Sequence, residues 1–150
     1  MRVASSKFLR GTRGQSLVEF ALILPIFLVV MFMITEFGRA LFQYNILVSA
    51  TRAGARSGVL LGEAAAPAAA IAVADSLLKA ADIPLAQVTM QASVVDNFGG
   101  NGVKVLVVTA DKDFDWIYKG GLTMQGNATV DKPKALSLHA ETIMQGEGFQ

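Results

Sequence analysis

Few side chains in this 150-residue sequence have the type and spacing to do chemistry. Glu19 is the first. It follows Gly14 by five positions and stands in a run that is otherwise uncharged from Gln15 to Thr35. A carboxylate costs about 2.5–3.5 kcal/mol at the centre of a membrane helix on insertion scales. Near a helix end the cost is smaller, and the acid is also favoured there by the macrodipole. The second candidate is Asp111, Asp113 and Asp115, whose alternation opens like a calcium loop. That match then fails, because Trp116 stands where the loop needs glycine and Leu122 where it needs the closing glutamate. These acids are therefore expected to solvate a loop, with Trp116, Ile117 and Tyr118 anchoring it on the fold or forming a subunit contact. His139 is the single histidine and has no catalytic partner near it in sequence, and cysteine is absent. A disulfide framework, a thiolate zinc site, a cysteine nucleophile and a His–His metal pair are thereby excluded. No nucleophile motif surrounds any serine and no glycine loop cradles phosphate, so an enzyme finds no positive feature and no cofactor is expected.

The element that must position Glu19 is a long apolar helix. Hydrophobic residues make up 53% of the chain and charged ones 17%, against about 25% charged in an average soluble domain. Gln15–Thr35 is 21 residues long, and as helix it would span about 31 Å, close to the thickness of a bilayer core. Four basic residues, Arg2, Lys7, Arg10 and Arg13, precede it, and no acid occurs before Glu19. They are expected to stay in the cytoplasm and send the C-terminal part outward. Pro25 interrupts the run and predicts a kink, since it deprives the Ala21 carbonyl of its partner.

Three readings of this start compete. One is a cleaved secretory signal peptide, with Val48-Ser49-Ala50 loosely resembling a cleavage site, though far from the apolar run. Another is a plain signal anchor. The third is a prepilin-type leader cut after Gly14, with Glu19 five residues beyond the cut and the apolar helix retained. The ordered features of Arg13–Arg56 favour the third: Arg13-Gly14, Val18-Glu19-Phe20-Ala21-Leu22, Leu24-Pro25, Glu36-Phe37-Gly38-Arg39-Ala40 and Ala53-Gly54-Ala55-Arg56. This run resembles the N-terminal region of TadE-like proteins, minor pilins or pseudopilins of the Tad (Flp-type, type IVb) pilus system.

The resemblance implies a role for each of these residues. A prepilin peptidase would cut between Gly14 and Gln15, leaving Gln15 with an α-amino group that is mostly protonated at neutral pH. Glu19 would pair with that amine, its own or a neighbour's, and a charge paired in low dielectric sets register as well as attraction. Phe20, Leu24, Pro25 and Phe27 would belong to the surface by which such helices pack in the membrane and the fibre. The implied partners are the peptidase, other pilin or pseudopilin subunits, the inner-membrane pilus assembly platform and the lipid bilayer. The implied location is the bacterial inner membrane as a single-pass precursor with its head in the periplasm, then the pilus or cell surface. Nucleic acid is not among the partners, since Arg52 and Arg56 alone make no such site. The competing class is a single-pass envelope protein whose outer domain binds a ligand, calcium included, through the Asp111–Asp115 segment.

Beyond the membrane segment the helical pattern continues to about Leu61. Phe37, Leu41, Tyr44, Val48 and Thr51 recur at three- and four-residue steps and predict the buried face. Glu36 and Arg39 can pair at i,i+3. Ala50, Gly54, Gly58 and Gly62 recur every fourth residue, a stripe suited to close packing on the protein's own head or to a helix end. Ala68–Ala81 predicts a short second helix, with Ile71, Ala74 and Leu78 inward and Asp75 and Lys79 paired outward. Gln87–Val95 and Val103–Thr109 predict strands joined as a hairpin through Asp96–Gly102. Leu122–Val130 and Leu136–Ile143 are weaker strand candidates. The expected fold is α+β: a long N-terminal transmembrane and amphipathic helix on a small antiparallel sheet, with a short second helix. The expected divisions are leader 1–14, membrane segment 15–37, outer helix 38–62 and head 63–150. Removing the leader would take away four positive charges and leave nine basic against twelve acidic residues, so the +1 of the whole chain would become −3.

Overall fold

In the computed structural model, residues 13–100, 102–117, 136–146 and 149 are described. The chain divides into two units, Met1–Phe37 and Gly38–Gln150.

Helix α1 runs from Arg13 to Val59. Its first part, in the N-terminal unit, is built from Leu, Ile, Val, Phe and Met, and from Gly14 to Thr35 every side chain is exposed. It is long and apolar enough to cross a membrane. The helix continues through Pro25. Thr35 satisfies its hydroxyl within the helix by donating to the Met31 carbonyl at 2.9 Å, the back-bond by which a hydroxyl is carried in an apolar helix.

Among the described residues, the second unit is built around a three-stranded antiparallel sheet in the order β1 (Val88–Phe98), β2 (Val103–Phe114), β3 (Leu136–Gln145). The β1–β2 hairpin expected from the alternation is present, with Met90 opposite Ala110 and Ala92 opposite Val108. Both strands run further than expected, to Phe98 and Phe114, and the turn narrows to the glycines at 99–102. Gly99, Gly100 and Gly102 all have positive φ, which glycine adopts without a Cβ penalty. The candidate strand Leu122–Val130 lies outside the described residues, and so does Tyr118.

Helix α2 (Ala66–Ala80) starts with Pro67 in its first turn, where a missing N–H costs nothing. It begins two residues before the expected start and buries Ala66, Ala70, Ala74 and Leu78. Ile71 is only half-buried, and no ion pair joins Asp75 to Lys79. A short 3-10 turn, Leu85–Gln87, leads into β1.

The expected buried face of α1 is corrected. Phe37, Leu41 and Tyr44 are exposed, and Val48 is half-buried; of that set only Thr51 is buried. The helix instead buries Ala40, Leu47, Ala50, Thr51, Gly54, Ala55 and Gly58. The reason lies in α2. A Cβ on Gly54 would sit 2.5 Å from the Ala70 carbonyl oxygen, and one on Gly58 would sit 2.7 Å from that of Ala66. Small residues every fourth position on α1 thus face small residues every fourth position on α2, and the backbones approach too closely for a large side chain. Gly58 would also meet Leu106 of β2 at 2.5 Å, and Thr51 shares a 3.0 Å hydrogen bond with Thr142 of β3. Gly62 stands beyond the helix end at φ 79°, so both uses foreseen for the small-residue stripe occur, at different positions along it.

Candidate functional site

At the N-terminal end of the described residues, Gly14 and Gln15 lie in helix α1. Glu19 is one turn further on. The Gln15 side-chain amide donates to Glu19 Oε1 at 3.2 Å. Residue 15 and the Glu19 carboxylate are therefore hydrogen-bond neighbours on one face of the helix. Phe20, Leu24, Pro25 and Phe27 are all exposed. These side chains form a wide apolar surface with a single carboxylate near one end, and what such a surface can do is pack against lipid or other apolar helices.

The head presents a second cluster. Asp111 and Asp113 lie on strand β2, which corrects the expectation of a solvated loop for them, whereas Asp115 follows the strand in irregular chain and is exposed there. Strand β2 continues to Phe114, and its alternation sends Asp111 and Asp113 outward while Lys112 and Phe114 turn inward. The three acids are exposed. Alternate residues on a strand stand about 7 Å apart, whereas a calcium loop must wrap its ligands around one point. Among the described residues no group of three His, Asp or Glu side chains is placed to hold a metal ion.

Asp111 meets a different partner. It is opposite His139 across the β2–β3 ladder, and its Oδ1 is 2.6 Å from His139 Nδ1. Glu141 lies 4.0 Å from the other ring nitrogen. The hydrogen bond to Asp111 is the main cause that raises the His139 pKa above its ordinary value; the charges of Asp111 and Glu141 act in the same direction. Sequence distance hid this pair, and only the cross-strand register reveals it.

Lys112 was also invisible as a feature. It is buried, donates to the Asp113 carbonyl at 3.3 Å, and burial lowers its pKa. Reading the period of two past Thr109 would have placed it inward. Beside it, Phe114 is buried with Trp116 edge-on at 5.2 Å, and the Arg39 guanidinium lies 5.3 Å from the Phe114 ring centre. Trp116 thus packs on the core as an anchor, while Ile117 is exposed. Arg52 and Arg56 are exposed, as a solvated face requires.

The N-terminal surface is the one with relatives. The family model described as TadE-like protein matches residues 14–56, within the Arg13–Arg56 run whose features carry the resemblance, and this part of the chain is similar to that family. No curated protein and no solved structure matches the chain. The TadE-like family suggests a minor pilin related to the Tad pilus, a structural component that meets other pilus subunits. The apolar helix suggests membrane anchoring.

Proposed function

We propose that this protein is a TadE-like minor pilin or pseudopilin, made as a single-pass membrane precursor and cut between Gly14 and Gln15 by a prepilin peptidase. The leader of residues 1–14 orients insertion through its four basic residues. The mature helix then leaves the bilayer with its head and takes part in assembly or priming of a type IVb pilus. The observation that carries this reading is the family match over residues 14–56, which includes the Gly14–Glu19 spacing.

The chemistry follows from that spacing. Cleavage turns the Gln15 backbone nitrogen into a cationic amine one helical turn from Glu19. In the uncut chain the donor that the Gln15 side chain offers the Glu19 carboxylate is a neutral amide. An ionised donor makes a stronger hydrogen bond than a neutral one, so the cut strengthens the attraction at this end of the helix and makes it available to a neighbouring subunit. Phe20, Leu24, Pro25 and Phe27 supply the apolar contact around it. The protein is in this reading the substrate of an enzyme and performs no catalysis itself.

Glu19→Ala tests the role of the carboxylate. Insertion should persist, because removing a charge from an apolar helix favours insertion, while incorporation into pili drops. Incorporation equal to wild type would reduce Glu19 to a helix-end acid.

A further inference from the structure

The first outward turns of α1 within the head unit carry exposed apolar side chains. Leu41, Phe42 and Tyr44 are 47%, 63% and 40% exposed, although residues on the opposite side of the same turns, Ala40 and Leu47, are buried. The next outward residues are Asn45, Ser49, Arg52 and Arg56, all exposed and polar. At about 100° per residue, Leu41, Phe42 and Tyr44 fan across about 160° of the helix circumference. Asn45, Ser49, Arg52 and Arg56 fall about 20–80° round from Leu41, inside that same arc. The surface therefore changes character along the helix axis, at Asn45, rather than around the helix.

That distinction separates two kinds of occupant. A helical partner leaves an apolar stripe running along the axis with polar flanks. A lipid layer leaves an apolar band that wraps the exposed circumference and stops at one level. The band seen here is of the second kind, and its end falls at a meaningful place. Gln15–Tyr44 is 30 residues, about 45 Å of helix, and a bilayer with its headgroup layers is about 40–45 Å thick. The last turn of the band holds Tyr44, a residue type that concentrates at the headgroup level, where its phenol can meet water.

We infer that the Leu41–Phe42–Tyr44 surface docks on the headgroup layer of a phospholipid bilayer, with the lipid boundary at Asn45. The inference rests on the membrane-anchored reading above and adds a surface of the head itself to the lipid contact. Before assembly, the head then sits against the membrane, and extraction must release this surface together with the apolar helix.

The chain has no cysteine, so single substitutions Leu24→Cys, Phe42→Cys, Asn45→Cys and Ser49→Cys give one nitroxide site each in the full chain. The protein is reconstituted in phosphatidylethanolamine–phosphatidylglycerol vesicles. Collision with lipid-soluble oxygen and with a water-soluble nickel complex is then measured at each site. The expected result is an oxygen-favoured label at 24 and 42 and a severalfold fall in the oxygen-to-nickel ratio between 42 and 49. A label at 42 as open to nickel as that at 49 overturns the inference while leaving anchoring intact. A label at 42 shielded from both reagents also overturns it, in favour of a second protein chain. A nickel-favoured label at 24 overturns anchoring and docking together.

Discussion

Before Gly38, α1 shows large apolar side chains on every side, all exposed; after Gly38, the side it buries is made mostly of alanine, glycine and threonine, with Leu47 the large exception. Burying large side chains is the usual source of stability, at about 1.5–3 kcal/mol each. Here the largest supply of such side chains is left outside the protein's own core. The core is made instead by letting two helix backbones approach through Gly54, Gly58, Ala66, Ala70 and Ala74 over the inner face of the sheet. The difference teaches which contacts are internal and which need another molecule. Small residues at four-residue spacing serve the head, and in the proposed function the large ones serve lipid and neighbouring helices.

Substitutions should separate the two regions. The largest effect is expected from Phe114→Ala, which removes the biggest fully buried side chain among the described residues together with the ring that Arg39 and Trp116 contact. A loss of about 3–5 kcal/mol is expected, read by thermal or denaturant unfolding of the detergent-solubilised chain, with membrane insertion unchanged. A loss under 1 kcal/mol would mean that this end of the core is not closed as described.

Glycine substitutions sharpen the contrast because their sign should reverse along one helix. Gly54→Ala places a methyl 2.5 Å from a backbone oxygen and should cost about 1–3 kcal/mol. Gly38→Ala meets nothing within 4 Å and should stabilise by about 0.5–1 kcal/mol through helix propensity. Equal effects at both positions would break the argument that small residues are required by the contact with α2.

The smallest effect concerns pH. The His139 pKa is raised in the folded protein by Asp111, so protonation favours folding. The contribution is complete below the unfolded value of about 6.5 and is lost as pH rises through the higher folded value. Both side chains are about half exposed, so the effect is small. Melting temperatures of wild type and His139→Gln should converge as the medium becomes alkaline and diverge below neutrality, with wild type the more stable. Parallel curves would show that the 2.6 Å contact has no energetic weight.

Much of this was legible in the sequence. The long apolar helix, the alternation of Val88–Val94 and the β-branched run from Val103 each declare their element through period and composition. The buried face of the outer helix was misread for a physical reason. Phe37, Leu41 and Tyr44 have the hydrophobicity and spacing of a core stripe, but hydrophobicity alone does not say which molecule covers a face. The competing stripe of alanine and glycine was visible, yet its weight appears only when the facing stripe of α2 is set beside it. Asp111 and Asp113 read as loop because charged residues look like one, whereas the inward Lys112 and Phe114 show that the strand period continues to Phe114. The His139–Asp111 pair joins residues 28 positions apart, and no local pattern announces a cross-strand register. The Gly14–Glu19 spacing is legible in sequence alone, and the TadE-like match spans it.

The central claim is that Gly14–Gln15 is cut and the apolar helix kept. It is tested most directly by determining the N-terminus of the protein isolated from its native envelope by mass spectrometry. The account predicts a chain beginning at Gln15, 136 residues long, with a formal charge of −3 (nine basic and twelve acidic residues). A chain that still begins at Met1, or one that begins near Thr51 with the apolar helix removed, would contradict it.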